Sequence, residues 1–280
     1  MASLVFGLIA ALCWGIHDIC VRFVSQRGGI LPALTTVLII GTLIMAPATL
    51  FAGNWADMTV RATALAGASG VTFTLAYVGL YNAFAIGPVR LVAPIIGAYP
   101  VLSVGWAAMA GQAVPFDQWL AVGAVVAGVA IVGFLVGEDG GSANKRAAIL
   151  WAILGGAAFA ATFALGQAAA HAGSEVQVIM VTRLAAVVFA TTLLAATGGI
   201  RLPARGTWPL LALMGALDCI ALGIVIAAAG MARPEFASVA ASTFGMITVI
   251  LAWAILRERM TPGQWGGVLL TFAAIGYLAL

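Results

Sequence analysis

Three windows of this chain, Leu31–Ala56, Ala62–Val89 and Leu91–Phe116, each run past 20 residues without a Lys, Arg, Asp or Glu. About 20 apolar residues span the hydrocarbon of a bilayer as a helix. A soluble domain built from such windows would have nothing to present to water. The same character persists along the chain, which is 64% hydrophobic and 8% charged over 280 residues, far from the globular norm. In lipid every backbone amide must be satisfied internally, so the spans are helices or closed barrels. A barrel would alternate polarity over segments of about 10 residues. These runs are continuous and longer, which predicts helices.

The net charge of +3 is scattered, with no basic cluster interleaved with aromatics, which argues against nucleic acid. Cys13, Cys20 and Cys219 lie inside apolar runs and read as small packing residues. No CxxC or HxxxH spacing suggests a metal, and no nucleotide-binding motif suggests ATP. The sequence calls for no cofactor. The N-terminus lacks the basic stretch of a signal peptide, so Ser3–Val24 is expected to be a true first span.

Gly, Pro and charge punctuate the chain into ten expected spans: 3–24, 31–52, 62–86, 89–111, 116–136, 147–170, 175–197, 207–230, 235–256 and 262–280. The long polar stretch 138–146 reads as a connector between 1–137 and 147–280. The halves match at a constant offset of 146 residues, which lays Pro88 on Pro234 and Gln118-Trp119 on Gln264-Trp265. Five spans per half is odd, so the second half must be inverted. The expected fold is therefore an all-α membrane protein of ten transmembrane helices in two inverted five-helix repeats. Many secondary transporters share that plan and place their substrate site near the midplane between the halves.

Trp14-Gly15 in the first span and Leu256-Arg257-Glu258-Arg259-Met260-Thr261-Pro262 after the ninth carry a family likeness. With two five-helix halves, the chain resembles the EamA-type exporters of the drug/metabolite transporter superfamily. Their repeats typically show a Trp-Gly in the first helix and a Gly-Glu-Arg-Leu-like turn after the fourth. The first-half counterpart here, Gly111-Gln112-Ala113-Val114, has lost the acid and the base. The resemblance implies a ten-helix carrier of small metabolites and leaves the substrate open.

Lys and Arg concentrate in cytoplasmic loops. Loops after odd-numbered spans hold Arg22, Arg27, Arg90, Lys145, Arg146, Arg201, Arg205, Arg257 and Arg259, against Arg61 and Arg233 on the opposite side. That bias puts both termini outside, whereas the resembling family usually has them in the cytoplasm. Orientation stays open between the two.

Polar residues inside spans are expensive and therefore informative. Asp218 sits near the centre of the eighth span and is the first candidate, as a proton site, a cation site or a contact for a substrate amine. A protonated Asp bonded to neighbouring backbone is the alternative. His17 shares a helical face with Cys13 and Cys20, one turn from Trp14, and could couple to protons or donate to a carboxylate. Asp18 is four residues before Arg22, the spacing of a helical ion pair. Tyr77, Tyr81 and adjacent Asn82 in the third span, with Tyr99 in the fourth, suggest a wet interior. Trp106 and Trp151 read as belt or packing residues. Arg183 near the start of the seventh span is expected to snorkel, or else to pair with Asp218 or a substrate carboxylate. Pro94, Gly97 and Pro100 should break the fourth span and serve as a gate hinge. The ninth span lacks those prolines and offers Ser238, Ser242, Thr243 and Gly245, so only the first half is expected to break in this way. Gly123, Gly128 and Gly133 read as close-packing residues. His171 falls in a loop.

The functional expectation is a secondary transporter, an exporter of small metabolites such as amino acids, working by alternating access. Its partners would be a small-molecule substrate and the bilayer, with no nucleic acid, and its drive a proton gradient or the substrate's own gradient. The chain would act as a monomer or homodimer in the plasma membrane, a bacterial inner membrane being the expected setting. Export of cationic drugs or lipid-linked head groups is the alternative. The remote alternatives are a structural membrane subunit and an intramembrane enzyme, which has little to work with, since His17 and His171 are the two histidines and no Ser/His/Asp spacing occurs. Exposed tags at each terminus on intact cells distinguish the orientations. Labelling of both follows from the Lys/Arg bias, and protection of both from the family likeness.

Overall fold

The computed structural model describes residues 2–26, 29–52, 54–109, 111, 113–135, 142–198, 201–229, 237 and 240–278. It is helical, with α1 at Ala2–Ser25, α2 at Ile30–Phe51, α3 at Val60–Ile86, α4 at Val89–Gly97, α5 at Tyr99–Met109, α6 at Phe116–Leu135, α7 at Ser142–Ala170, α8 at Glu175–Gly198, α9 at Trp208–Ala229, α10 at Phe244–Ile255 and α11 at Pro262–Leu278. Among the described residues, seven of these are long and apolar enough to cross a bilayer: α1, α2, α3, α6, α7, α8 and α9. This is a multi-pass membrane protein of helices.

The expected boundaries shift where polar residues belong to helices. Thr59 accepts a hydrogen bond from Ala62 N at 3.0 Å and starts α3 two residues before the apolar window. α7 begins at Ser142 and takes in Lys145 and Arg146, which sequence placed in the connector. Their long stems let a helix extend past the hydrocarbon while the charges reach water. Pro234 and Ser238 lie outside the described residues, as do residues 138–141 of the connector and the side chain of Trp106. Trp151 is half-buried and packs on the core from α7.

The fourth span is two helices. Pro100 has no N–H to return to the preceding turn, and α4 ends on Ala98, whose N–H bonds Pro94 O at 3.1 Å and Ile95 O at 3.2 Å. The ninth span is interrupted too, which corrects the expectation of a break in one half. Ala240 and Ala241 are helical, Ser242 and Thr243 form a turn, and α10 starts at Phe244. No proline stands at this break, and a hydroxyl bonds back across it. Thr243 Oγ1 donates to Ala240 O at 2.6 Å and competes with the helix ladder. Shifted by the repeat offset, Ala98 falls on Phe244, so the two breaks occupy matching places.

The halves interleave. α1 packs on α9 and α10, while its repeat partner α7 packs on α3 and α4; α6 packs on α11. Small residues make these crossings close. A Cβ on Gly79 would lie 2.6 Å from the backbone of Gly155, and one on Gly70 would lie 2.6 Å from Ala185 Cβ. In α6, Gly128 meets Gly267 O at 2.6 Å from a built Cβ. Gly133 has only an ordinary contact with Leu91, and Gly123 faces open space, so of the three α6 glycines only Gly128 is needed for packing.

Consecutive spans alternate in direction, which defines two faces. The terminal face holds the start of α1, the end of α11, the α2–α3 loop and the α7–α8 turn. The basic face holds the α3–α4, α8–α9 and α10–α11 connections, with Arg90, Arg201, Arg205, Arg257 and Arg259. Loops on the terminal face clasp across the halves: Thr59 Oγ1 donates to Ala172 O at 2.9 Å, and Gln177 Nε2 donates to Ala52 O at 2.9 Å. Gly79→Leu should lower stability by about 1–3 kcal/mol through overpacking, whereas Gly123→Leu should leave it within about 0.5 kcal/mol. Thermal unfolding of the two variants in detergent reads the difference.

Candidate functional site

α8 and α9 bring the cationic and anionic ends of the site together at mid-bundle. Arg183 enters two turns after the start of α8 and Asp218 stands at the middle of α9. The guanidinium donates from Nη2 to Asp218 Oδ2 at 2.6 Å. Arg183 is 3% exposed, so it does not snorkel. Gly41 of α2 makes room for it, since a Cβ there would lie 2.7 Å from Nη1. The other carboxylate oxygen, Asp218 Oδ1, accepts from Trp14 Nε1 at 3.4 Å and faces Tyr77 Oη at 3.5 Å. Arg183 Nε and Nη1 have no hydrogen-bond partner among the described residues.

These groups line a cavity of about 480 Å³. It extends from Asp218 and His17 to Gln167 and Glu175 at the α7–α8 turn, where both are exposed, so it runs toward the terminal face. Both helix breaks border it, through Ile96 and Tyr99 on one side and Ala241, Ser242 and Phe244 on the other. The walls differ in chemistry. α1, α8 and α9 supply Trp14, His17, Arg183 and Asp218, whereas α3, α5 and α7 supply a run of aromatic rings. Phe73 meets Tyr77 edge-on at 4.7 Å between centroids, Phe159 stacks on Phe163 at 6.2 Å, and Phe163 meets Tyr99 at 5.0 Å. Edge-to-face and offset rings at such distances attract one another beyond simple burial.

Eight of the residues singled out in the sequence thus share one cavity: Trp14, His17, Asp18, Tyr77, Tyr99, Arg183, Asp218 and Ser242. Tyr81 and Asn82 do not line it. Tyr81 lies one turn nearer the basic face, fully buried, its hydroxyl without a partner among the described residues. Asn82 turns its amide back to Val78 O at 2.8 Å. The expected Asp18–Arg22 pair is absent. Asp18 instead accepts from Thr248 Oγ1 of α10 at 3.0 Å and lies 3.6 Å from His17 Nδ1. Arg22 donates to the carbonyls of Phe84 and Gly87, which the end of α3 leaves without helical donors. His17 Nε2 has no partner among the described residues, and the ring meets Tyr77 at 5.9 Å. Pro94 and Gly97 lie in α4 just before the break and Pro100 just after it. His171 sits exposed in the α7–α8 turn.

Phe73, Phe159, Phe163 and Thr248 were missed in the sequence. Phe73–Tyr77 and Phe159–Phe163 repeat the four-residue spacing that singled out Tyr77 and Tyr81. A phenyl ring in an apolar span carries no polar signal, so spacing was the available clue.

A profile of the EamA-like transporter family matches residues 1–134 and again residues 146–280. The chain belongs to this family of transporters and carries its repeat twice. A solved structure described only as "Crystal structure of protein" is similar with a TM-score of 0.65 at 16% identity, over 99% of this chain and 96% of the other. That likeness concerns the fold. No curated protein matches the chain.

Removing one member of a buried ion pair strands the other charge, at a cost of about 3–5 kcal/mol. Arg183→Met or Asp218→Leu alone should therefore destabilise strongly, and the double substitution should recover most of the loss. Melting temperatures of the three variants check this. Additive losses would mean the two groups do not depend on each other.

Proposed function

We propose that this protein is a secondary transporter, with ten spans in two inverted five-helix halves, that exports small amphipathic metabolites, amino acids foremost, by alternating access. The observation that carries the reading is the Arg183–Asp218 pair on one wall of a cavity whose facing wall is aromatic. A zwitterion matches both poles of the pair. Its carboxylate can take the unused Nε and Nη1 donors of Arg183, and its ammonium can take Asp218 Oδ1. The pair and the zwitterion are each neutral, so loading leaves the charge of the cavity unchanged. An apolar side chain then lies on Phe73, Phe159 and Phe163.

A cationic drug fits less well. The carboxylate it would seek is already held by a guanidinium at 2.6 Å. The breaks at Ala98 and Ser242–Thr243 support alternating access, because discontinuous helices at matching places in the two repeats are how many secondary transporters line their midplane sites. Proton coupling, where it operates, falls to His17 and Asp218. His17 keeps Nε2 free of partners among the described residues. The setting we propose is the plasma membrane of a bacterium.

Purified protein in liposomes should exchange radiolabelled neutral amino acids. Asp218→Asn and Arg183→Gln should each reduce exchange, measured per molecule of folded protein, about 10- to 100-fold, the value of one charge-assisted contact. Collapse of an imposed proton gradient should slow uphill flux. Exchange at wild-type rate by both variants would remove the pair from substrate binding.

A further inference from the structure

The cavity runs to the terminal face, and the opposite end is tied shut by a contact that the site does not use. Glu258 sits in the connection between α10 and α11. Its Oε1 accepts from Val89 N at 2.8 Å and its Oε2 from Arg90 N at 3.1 Å. Those are the first amides of α4, donors that a helix start leaves unpaired, and a carboxylate there is also favoured by the helix dipole. Glu258 belongs to the second half and α4 to the first, so one side chain bridges the two. Arg22 holds the other side of the same turn through Phe84 O and Gly87 O. The Gly87-Pro88 turn is thus gripped from both sides.

The backbone is bent to aim this carboxylate. Arg257 has φ 54°, the one positive value among described residues other than glycine. Left-handed backbone is uncommon for a residue with a side chain and persists where surroundings enforce it. Its repeat counterpart is Gly111, at φ 80°. Both residues have positive φ, but only Arg257 adopts it against a steric cost, and only the second-half sequence carries the acid. The repeat offset lays Gln112 on Glu258 and Ala168 on Arg22. In sequence, then, the terminal face has neither the carboxylate nor the guanidinium.

We propose that Glu258 is a gate latch. It docks the short rod α4 against the second half, closes the basic face, and must leave the α4 amides for that face to open. α4 can move separately because the chain breaks at Ala98. The two faces are therefore unequal, with a charged latch on the basic side and a neutral counterpart on the terminal side. The purpose of the latch rests on the transport reading above, but its presence does not.

The native cysteines provide the test. Cys13, Cys20 and Cys219 are all buried. Cys20 lies between His17 at the cavity and Arg22 at the gripped turn, on the His17 side of α1. Each is followed by mass spectrometry during N-ethylmaleimide alkylation of the purified full-length protein in lipid nanodiscs. Glu258→Gln keeps the shape and loses the charge. It should speed alkylation of Cys20 about 10- to 100-fold, the factor expected for weakening charge-assisted hydrogen bonds, while Cys13 and Cys219 keep their wild-type rates. Glu258→Asp, which retains the charge on a shorter arm, should fall between. Unchanged Cys20 reactivity in both Glu258→Gln and Glu258→Ala overturns the latch. Equal acceleration at all three cysteines also overturns it, because the contact would then only hold the fold together. No solute is involved, so failure of amino-acid exchange and failure of the latch register separately.

Discussion

A guanidinium and a carboxylate in the middle of a membrane bundle each lose several kcal/mol of hydration, and their attraction offsets this only with good geometry and further hydrogen bonds. The Arg183–Asp218 pair meets that condition on one side only. Asp218 has Trp14 and Tyr77 as well as Arg183 around its oxygens, while Arg183 Nε and Nη1 lack partners among the described residues. The remaining donors need water or a polar guest. A cavity beside them is what keeps so exposed a demand tolerable inside lipid. The packing follows from the same need. α2 must present Gly41 rather than a side chain, and Cys219 donates to Gly41 O at 3.0 Å to hold that stretch of α2 against α9.

The backbone repeats, but the chemistry does not. Under the repeat offset Thr72 stands opposite Asp218, Val37 opposite Arg183, Phe163 opposite His17 and Phe159 opposite Cys13. At the first three of these positions one copy carries an ionisable group and the other does not. Two copies of one repeat thereby enclose a space with unlike walls, which a symmetric dimer of one unit could not do. The interleaving makes this useful. α1 packs on α9 and α10 and α7 on α3 and α4, so the exchanged helices bring Trp14 beside Asp218 and Phe159 beside Phe73 and Tyr77.

Much of this was legible in the sequence because membrane constraints are severe. Uncharged windows mark spans, and an acid at mid-span such as Asp218 is conspicuous against so much Ala, Val and Leu. What escaped depended on direction rather than identity. Tyr77 and Tyr81 differ by one turn, yet one borders the cavity and the other is sealed below it; four-residue spacing fixes the face and not the depth. Arg183 could have reached for the interface, and only the placement of α9 decides that it does not. Asp18 and Arg22 have the spacing of a pair, but the open carbonyls at the end of α3 and the hydroxyl of Thr248 are nearer at hand than sequence distance suggests. The interruption at Ser242–Thr243 was hidden because a hydroxyl that bonds back along the helix carries no signature as strong as proline.

The cost of strain argues that the basic-face connection is shaped by more than packing. A glycine at Arg257 would adopt its φ freely, as Gly111 does in the other half. Keeping a side chain there makes the turn stiff, since a residue that tolerates few conformations holds the next one in place. The next residue is Glu258. A stiff mount suits a group that must find the same two amides each time it returns, whereas a freely turning glycine would let it wander. On the opposite face, where the mount is glycine and the following residue is neutral, nothing needs to be aimed.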